Sequence, residues 1–269
     1  MITSTANHKV KRIAQLNKKA SERKREDVFV AEGLKMFLEA PEENLCEVYI
    51  SENFQFFLNG QEKSGERARK RLEKFGYEEV SEEVFRKMSD TQAPQGILCV
   101  VRQLHYRLED ILQGKECPLI LALENLQDPG NLGTILRTGE GAGVCGVVMS
   151  RNTTDIYNPK VIRATMGSIY RMPFCYAENL GEAVRGMKNA GIRVFAAHLN
   201  GKINYDGCDY CRPSAFLIGN EGKGLTEEMA ALADSYVKIP MEGEVESLNA
   251  AIASALLVFE AARQRRGAE

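Results

Sequence analysis

The part of the chain after residue 117 alternates short, continuously apolar segments with segments of helical periodicity, and this alternation constrains the fold more than any other feature. Apolar runs without polar alternation are typical of strands buried on both faces, as in a parallel sheet with helices on either side. We therefore predict an α/β domain with a mostly parallel sheet. The predicted strands are 119–123, 144–149, a shorter one near 171–176, 192–197, 215–218 and 236–239, and the predicted helices are 130–140, 158–166, 180–190, 226–232 and 248–265.

The first hundred residues have a different texture, with shorter elements and more charge. Candidate strands at 28–31, 47–51, 77–80 and 96–102 alternate with helical stretches at 33–39, 66–75 and 81–88. A length of 269 residues also suggests two domains, at roughly 150 residues per domain. We predict a smaller N-terminal α/β domain over residues 1–105, a linker at 106–116 and the larger domain at 117–269.

A run of positive charge lies near the N-terminus. Residues 9–25 hold eight basic side chains and one acidic one, Glu22, and Val10, Ile13 and Leu16 recur at helical spacing. This pattern predicts one basic amphipathic helix, for which a solvated helix face is an equally good interpretation. Because 35 basic and 37 acidic residues leave the whole chain at a net charge of −2, any binding of a polyanion must come from such local patches.

Cysteine usage and hydropathy indicate the compartment. The seven cysteines are an odd and scattered set, which is typical of reduced thiols rather than of a disulfide framework. No apolar run reaches the roughly 20 residues of a membrane span, and residues 1–9 lack the apolar core of a signal peptide. These observations predict a soluble, cytoplasmic protein that does not bind membranes.

Two short motifs are weak. Residues 141–146 match the dinucleotide pattern G-x-G-x-x-G but follow a predicted helix and precede a strand, whereas phosphate binding needs the opposite order. We interpret them as a helix end, although an oxidoreductase with a nucleotide cofactor stays as an alternative. Cys208 and Cys211 form a lone C-x-x-C without further ligands nearby, so we predict a loop with two thiols and no metal site.

Three segments of the larger domain place polar residues directly after predicted strands. Residues 125–138 turn at Asp-Pro-Gly and carry Asn131 and Arg137, residues 217–222 enter a glycine loop with Glu221, and residues 239–249 connect a strand to the last helix. Ligands of open α/β sheets bind beyond the carboxyl ends of the strands. The three segments are therefore the candidate functional site.

In order and spacing, these three segments resemble motifs 1, 2 and 3 of the SpoU (TrmH) family of RNA ribose 2'-O-methyltransferases, which is part of the SPOUT class. Residues 158–168 also agree with the family pattern, and the likeness covers nearly all of residues 118–269. The N-terminal part is more loosely similar to the substrate-binding domain of the family, through the basic first helix and residues 30–33 and 93–98.

The resemblance implies S-adenosylmethionine as the cofactor and a deep trefoil knot near the C-terminus, a feature that general folding rules do not predict. In the family, the cofactor lies in loops formed by motifs 2 and 3. Gly219 suits this role because a missing Cβ allows close approach of backbone to a ligand. The implied cofactor-binding residues are Leu217, Ile218, Gly219, Asn220, Ile239, Pro240, Met241, Ser247 and Leu248.

Motif 1 carries the residue that the family likeness implies as catalytic, Arg137. A guanidinium has a pKa above about 12 and is a poor base at neutral pH, so we favour positioning of phosphate and ribose and keep a less basic Arg137 in a cationic site as the alternative. Asn131 and Asn249 are expected to bind the ribose, the phosphate or Arg137. Glu221 is expected to orient Arg137 or a substrate group, or else to cap its own loop. Ser247 is expected to line the pocket, and its position also suits the N-cap of the last helix.

The same resemblance implies RNA and a second copy of the chain as partners. Ribosomal RNA, 23S in particular, is the expected substrate, with transfer RNA or a non-catalytic RNA-binding role as alternatives, and the active site is expected near a homodimer interface. A second basic cluster comprises Arg67, Arg69, Lys70, Arg71 and Lys74. The residues of the first helix expected to contact RNA phosphates are Lys9, Lys11, Arg12, Lys18, Lys19, Arg23, Lys24 and Arg25.

Overall fold

The computed structural model describes residues 1–54 and 62–267. The chain divides into two compact units. The first comprises Met1–Leu104 and Tyr157–Tyr170, and the second comprises His105–Ile156 and the chain from Arg171 onward. No helix in the described ranges is both long enough and apolar enough to cross a membrane.

The first unit contains a four-stranded sheet in the order β1-β4-β2-β3, where β2 and β3 are parallel and the other pairs are antiparallel. The helices His8–Lys18 and Glu82–Met88 cover one face, where Val10, Ile13 and Leu16 pack with Tyr49 and Phe85 in one apolar core. The strands are β1 (Val28–Glu32), β2 (Leu45–Ser51), β3 (Glu78–Val80) and β4 (Ile97–Arg102). The helices are α1 (His8–Lys18), α2 (Ala20–Glu26), α3 (Leu34–Glu39), α4 (Glu62–Phe75), α5 (Glu82–Met88) and α8 (Pro159–Thr165).

The prediction of one continuous basic helix over residues 9–25 is wrong, because the helix is interrupted at Lys19, between α1 and α2. Lys19 is extended, with φ −121° and ψ 117°. The guanidinium of Arg23 turns inward and donates to the carbonyls of Leu16 and Asn17 at 2.5 and 3.2 Å. These are carbonyls in the last turn of α1, which a helix end leaves without partners. The side chain of Arg23 thus satisfies the end of the helix that precedes it.

The second unit contains seven parallel strands in the order β7-β6-β5-β10-β8-β11-β9. This sheet confirms the predicted α/β class with a mostly parallel sheet. The strands are β5 (Leu119–Leu123), β6 (Gly146–Ser150), β7 (Phe174–Ala177), β8 (Arg193–Ala197), β9 (Ile203–Asn204), β10 (Ser214–Ile218) and β11 (Ser235–Lys238). The helices are α6 (Leu108–Leu112), α7 (Pro129–Ala142), α9 (Leu180–Asn189), α10 (Glu227–Ala230) and α11 (Ala250–Arg266).

Two weak motifs have the structures that the sequence predicts. Helix α7 ends at Ala142, and its C-cap Gly143 adopts φ +81° and donates to the carbonyls of Glu140 and Gly139 before β6 begins. The G-x-G-x-x-G match is therefore a helix end and not a phosphate site. Cys208 and Cys211 lie in a loop, the former buried and the latter exposed.

The chain between the two units differs in detail from a plain linker. Residues 106–116, the predicted linker, contain the short helix α6, and residues 157–170 belong to the first unit by contacts such as the stacking of Tyr157 on Phe29 at 4.8 Å. Residues 158–168, which agree with the family pattern, contain α8, with Asn158 as its N-cap and Met166 as its C-cap. The boundaries of the predicted domains and the trefoil knot stay predictions.

Candidate active site

All strands of the second sheet are parallel, so their carboxyl ends lie at one edge. The neighbours β5, β10, β8 and β11 end there, and the three motif segments leave from three of these strands. A cavity of about 640 Å³ opens at this edge, within the range of about 300–1,000 Å³ that is usual for small-molecule sites. Its lining includes the predicted cofactor residues Ile218, Gly219, Asn220, Ile239, Pro240, Met241, Ser247 and Leu248, together with Glu221.

Leu217 differs from the other predicted cofactor residues. Its side chain is fully buried in the apolar core of the second unit, among Ile120, Val194 and Ala215. A buried strand points successive side chains to opposite faces of the sheet. The contribution of Leu217 is therefore to the packing of β10 and not to the cavity wall.

Gly219 starts the loop that follows β10, and the structure gives a different reason for a glycine there. A Cβ on Gly219 would lie 2.1 Å from the carbonyl carbon of Gly224 and 2.2 Å from the amide nitrogen of Leu225. The loop closes on itself through two backbone hydrogen bonds between Asn220 and Gly224, at 3.0 and 2.9 Å. The missing Cβ thus lets the loop close, whereas the sequence suggested approach to a ligand.

Asn220 uses its side chain to build this loop. Its Oδ1 accepts from the backbone N–H groups of Gly222 and Lys223 at 3.0 and 3.1 Å, and its Nδ2 donates to the carbonyl of Asn125 at 2.8 Å. The side chain is therefore committed to the turn and to the segment after β5. It lines the cavity as part of the loop rather than as a free polar group.

Glu221 joins motif 2 to motif 1. Its carboxylate accepts from the backbone N–H of Asp128 at 2.8 Å, from that of Gln127 at 3.0 Å and from Nδ2 of Asn131 at 3.1 Å. Partial burial alone would raise the pKa of Glu221, but the donors of Asp128, Gln127 and Asn131 outweigh it and hold this pKa below its ordinary value. Glu221 is therefore an ionised anchor for the motif 1 turn. The expected contact with Arg137 is not formed, and its carboxylate also accepts from Nδ2 of Asn220 in its own loop at 3.5 Å.

The two asparagines of the predicted site contact each other. Nδ2 of Asn249 donates to Oδ1 of Asn131 at 2.8 Å. Oδ1 of Asn249 accepts from the backbone N–H groups of Ala251 and Ile252, so Asn249 is the N-cap of α11. The alternative that Ser247 caps this helix is wrong, because α11 begins at Ala250. Ser247 is exposed and lines the cavity.

Arg137 is exposed on α7, which begins after the N-cap Asp128. It follows Asn131 by six residues, which places it about 9 Å further along the helix and about 120° away around it. Within residues 1–54 and 62–267, the guanidinium has no hydrogen-bond or ion-pair partner. The expected contacts from Asn131, Asn249 and Glu221 to Arg137 are therefore not formed in this structure.

The sequence interpretation missed two parts of the site. Ala197, the last residue of β8, lines the cavity together with His198, Leu199 and Asn200, which follow that strand. The available signal was the position of β8 as a parallel strand with its own carboxyl end at the ligand edge. The buried Glu124, at the end of β5, was also missed, although a carboxylate that ends a continuous apolar run is itself unusual.

The predicted RNA-binding residues of the first unit fall into three groups. Arg23 is 4% exposed and serves the end of α1, so it does not belong to an accessible basic surface. Four residues are exposed and have no ion-pair partner among the residues described: Lys11, Lys18, Lys19 and Lys24. The ion pairs of the others are Lys9 with Glu78, Arg12 with Glu26 and Glu47, and Arg25 with Glu22 and Glu26.

Most side chains of the second basic cluster, on α4, also form ion pairs or packing contacts within the first unit. Lys70 pairs with Glu66 at 2.7 Å and Lys74 with Glu42 at 2.5 Å. Arg71 is almost buried and lies over the rings of Phe37 and Phe75. This cluster therefore stabilises the first unit more than it offers free positive charge. Across the described ranges, no group of three or more histidine, cysteine, aspartate or glutamate residues is arranged to hold a metal ion.

Comparison with known proteins agrees with this geometry. Residues 118–259 match the SpoU rRNA Methylase family, and residues 7–99 match the MRM3-like substrate binding domain. The chain is 33% identical over 180 residues to the 23S rRNA (guanosine(2553)-2'-O)-methyltransferase RlmP of Bacillus subtilis, which covers 67% of this chain and 70% of that protein.

Solved structures resemble the whole chain. The SpoU methyltransferase AviRb from Streptomyces viridochromogenes has a TM-score of 0.84 at 26% identity, covering 98% of this chain and 99% of that one. An AdoMet-bound rRNA methyltransferase from Sinorhizobium meliloti has a TM-score of 0.83 at 32% identity, covering 97% of each chain. Sequence, fold and site geometry together show that the chain belongs to the SpoU rRNA Methylase family.

Proposed function

We propose that this RNA methyltransferase transfers the methyl group of S-adenosylmethionine to a ribose 2'-hydroxyl of structured RNA, with 23S ribosomal RNA as its substrate. The observation that carries the proposal is that motifs 2 and 3 line one cavity, while Glu221 and Asn249 tie these two motifs to Asn131 of motif 1. The names of the relatives support ribosomal RNA over other substrates.

The cavity suits S-adenosylmethionine in both size and chemistry. Its walls are apolar at Ile218, Leu225, Ile239 and Leu248, and its polar lining holds carboxylates as well as ammonium groups, which matches a ligand with positive and negative groups. Loop 219–225, residues 239–241 and residues 247–248 would hold the cofactor. Bound there, S-adenosylmethionine supplies a methyl group activated by its positively charged sulfur.

The remaining task of the protein is to place a sugar hydroxyl and its neighbouring phosphate. Each asparagine amide has two donor hydrogens, and the contacts above use one on Asn131 and one on Asn249. The second hydrogen of each is available to a ribose or phosphate oxygen. Arg137 offers a planar set of donors that fits a phosphate in a bidentate manner. We assign these three residues to substrate positioning.

Glu221 is a poor candidate for the base that removes the hydroxyl proton. Its carboxylate already accepts several hydrogen bonds, and these hold its pKa low. A carboxylate stabilised in its ionised form has little tendency to take a proton. Its part in the reaction is therefore to keep the motif 1 turn and Asn131 in place.

We further propose that the chain acts as a homodimer in the cytoplasm. Helix α11 presents Ile252 and Phe259 outward, with exposed fractions of 52% and 45%, beside Leu256 in a shallow apolar groove. Contiguous apolar surface of this kind is typical of a protein interface. All seven cysteines are free thiols, which is in keeping with a reducing compartment. Sedimentation of the wild type and of Ile252→Glu tests the dimer, which should dissociate in the variant.

For the RNA, we propose a basic surface on the first unit that differs in part from the one predicted from sequence. Nδ2 of Asn17, near the end of α1, donates to the carbonyl of Met88 at the end of α5 at 2.7 Å, so the two helix ends are adjacent. Arg86 and Lys87 on α5 are exposed and have no ion-pair partner within the part of the chain described. The proposed surface comprises Lys11, Lys18, Lys19, Lys24, Arg86 and Lys87.

The direct test is methylation of ribosomal and transfer RNA with labelled S-adenosylmethionine, followed by mapping of ribose methylation in total RNA from cells with and without the gene. We expect label in ribose of 23S ribosomal RNA and loss of one mapped site without the gene. Label in transfer RNA alone would show that transfer RNA, and not ribosomal RNA, is the substrate. Binding of RNA with no label in any RNA would indicate a non-catalytic relative, and binding of a nicotinamide nucleotide without S-adenosylmethionine would indicate an oxidoreductase.

A further inference from the structure

Glu124 is a carboxylate in the interior of the second unit, with an exposed fraction of 6%. It follows β5 directly, and its backbone N–H donates to the carbonyl of Ile218 at the end of β10 at 2.8 Å. Both of its oxygens bind one residue. Oε2 accepts from the backbone N–H of Thr226, and Oε1 accepts from the hydroxyl of Thr226, each at 2.8 Å. A buried carboxylate is costly unless its oxygens have donors, and here each oxygen has one.

Thr226 is the point where the cavity loop ends. Residues 219–225 form the loop, and Thr226 begins α10 as its N-cap, since its Oγ1 accepts from the backbone N–H of Met229 at 3.2 Å. The hydroxyl therefore accepts from α10 and donates its hydrogen to Glu124. This arrangement fixes both the position and the rotamer of Thr226.

The whole cavity loop is anchored on one short stretch of chain after β5. Asn220 donates to the carbonyl of Asn125, and Glu221 accepts from the N–H of Asp128, both at 2.8 Å. Glu124 holds the far end through Thr226. Residues 124–128 thus form a platform for the loop, and every residue from Gly219 to Leu225 lines the cavity.

We propose that Glu124 is a positioning residue for the cofactor: by clamping Thr226, it holds the closing end of loop 219–225 in the shape that binds S-adenosylmethionine. The proposal rests on the function proposed above. Among the described residues that line the cavity, Glu124 is absent, so it acts through Thr226. Its loss is expected to weaken cofactor binding and to leave RNA binding and the transfer step at saturating cofactor unchanged.

The competing explanation is that Glu124 only stabilises the fold. In that case its removal lowers the melting temperature, and cofactor affinity, RNA affinity and kcat fall together. A positioning role instead changes the Kd for S-adenosylmethionine and leaves the Kd for RNA and kcat at saturating cofactor unchanged. Because hydrogen bonds to a charged group contribute more than neutral ones, we expect the Kd for S-adenosylmethionine to rise roughly tenfold in Glu124→Ala.

The experiment measures the Kd of S-adenosylmethionine by calorimetry, the Kd of RNA, kcat at saturating cofactor and the melting temperature. Glu124→Ala and Thr226→Val should each raise the cofactor Kd. The double variant should have a Kd close to that of either single variant, because both substitutions remove the same contact between Glu124 and Thr226. Thr226→Ser keeps the hydroxyl and should restore wild-type affinity. Glu124→Gln keeps an acceptor for the backbone N–H and should lie between wild type and Glu124→Ala.

Glu227→Ala is the matched control, since it removes an exposed carboxylate next to Thr226. It should leave the cofactor Kd unchanged. The proposal would be overturned if folded Thr226→Val and Glu124→Gln had an unchanged cofactor Kd, or if the effects in the double variant were additive. It would also be overturned if cofactor affinity, RNA affinity and kcat all fell together. Because the decisive measurement is cofactor binding, a wild-type protein that binds S-adenosylmethionine without methylating any RNA would refute the proposed function alone.

Discussion

Asn249 donates its side-chain amide to Oδ1 of Asn131 at 2.8 Å while its own Oδ1 caps α11. One side chain therefore performs two separable tasks, one at the site and one in the fold. Nδ2 of Asn131 in turn donates to the carboxylate of Glu221 at 3.1 Å. The starts of two helices and the cavity loop are thus held by a single row of side chains, so a change at one end is expected to disturb substrate positioning at the other.

Replacement of Asn249 distinguishes the two tasks. Asn249→Ala removes the cap and the contact with Asn131, and we expect a loss of about 1 kcal/mol in the free energy of unfolding together with weak methylation. Asn249→Asp keeps an acceptor for the helix but replaces the amide donor, so the free energy of unfolding should stay near that of wild type while kcat falls. Denaturant titration and a methylation assay check both. Full activity of Asn249→Asp would show that the contact with Asn131 has no part in the reaction.

Arg137 is exposed and unpaired in the described part of the chain, so its removal should not disturb the fold. We expect Arg137→Ala to lower kcat about 100-fold or more, as misplacement of a substrate does, with the Kd of RNA and the melting temperature nearly unchanged. Arg137→Lys should not restore activity, because an ammonium lacks the planar pair of donors. Arg185→Ala, at an exposed arginine on α9, is the control and should retain full activity. Wild-type turnover in Arg137→Ala would remove this residue from the proposed mechanism.

The lowered pKa of Glu221 makes the contact between its carboxylate and the motif 1 turn dependent on pH. Its folded-state pKa lies below its ordinary value of 4.5, so the contact stabilises the folded state above that pH and the stabilisation disappears as the pH falls through the folded-state value. The difference in free energy of unfolding between wild type and Glu221→Gln should therefore be constant from about pH 7 to 5.5 and should shrink below about pH 4.5. Denaturant titrations of the wild type and of Glu221→Gln across this range measure it. A difference that grows towards acid pH would contradict the assignment.

The strands and helices of the second unit were largely predictable because their signals are local. The apolar run at 119–123 coincides with β5, and the strand predicted near 171–176 begins instead at Phe174, after Pro173, which has no N–H for the ladder. Motifs 2 and 3 line one cavity, and motif 1 lies beside them through the contacts of Asn131 with Glu221 and Asn249, as parallel strands with a shared carboxyl edge favour.

The interactions that decide residue roles were less predictable because their partners are distant in sequence. Lys9 pairs with Glu78, and Arg12 pairs with Glu47, so positive charges that look free in the sequence are neutralised in the fold. At the interruption of the helix near Lys19, Arg23 turns back and donates to the carbonyl of Leu16 in α1, a contact that helical periodicity does not predict. The choice of Asn249 over Ser247 as the cap depends on where α11 begins, and helix ends are the least certain part of any such prediction.

The basic surface of the first unit predicts a specific salt dependence. Combined replacement of Lys18, Lys19 and Lys24 by alanine should weaken RNA binding and reduce the slope of log K against log salt by up to about 2–3, at roughly 0.7–0.9 for each lost phosphate contact. The matched control replaces Lys9, Lys70 and Lys74, which removes the same charge from residues already paired with Glu78, Glu66 and Glu42. Binding titrations at several salt concentrations give both slopes. Equal reduction in the two triple variants would mean that net charge alone holds the RNA.

Gly219 and Gly222 give the sharpest comparison within the cavity loop. A Cβ at Gly219 would lie 2.1 Å from backbone carbon and 2.2 Å from backbone nitrogen, whereas the nearest atom to a Cβ at Gly222 is Oδ1 of Asn220 at 3.7 Å. Because the atoms near Gly219 are backbone and cannot move away as a side chain can, Gly219→Ala should open the hydrogen bonds between Asn220 and Gly224. We expect loss of measurable S-adenosylmethionine binding by calorimetry in Gly219→Ala, whereas Gly222→Ala should keep the loop closed and retain measurable binding. Equal binding by the two variants would show that closure of the loop is not what shapes the cavity.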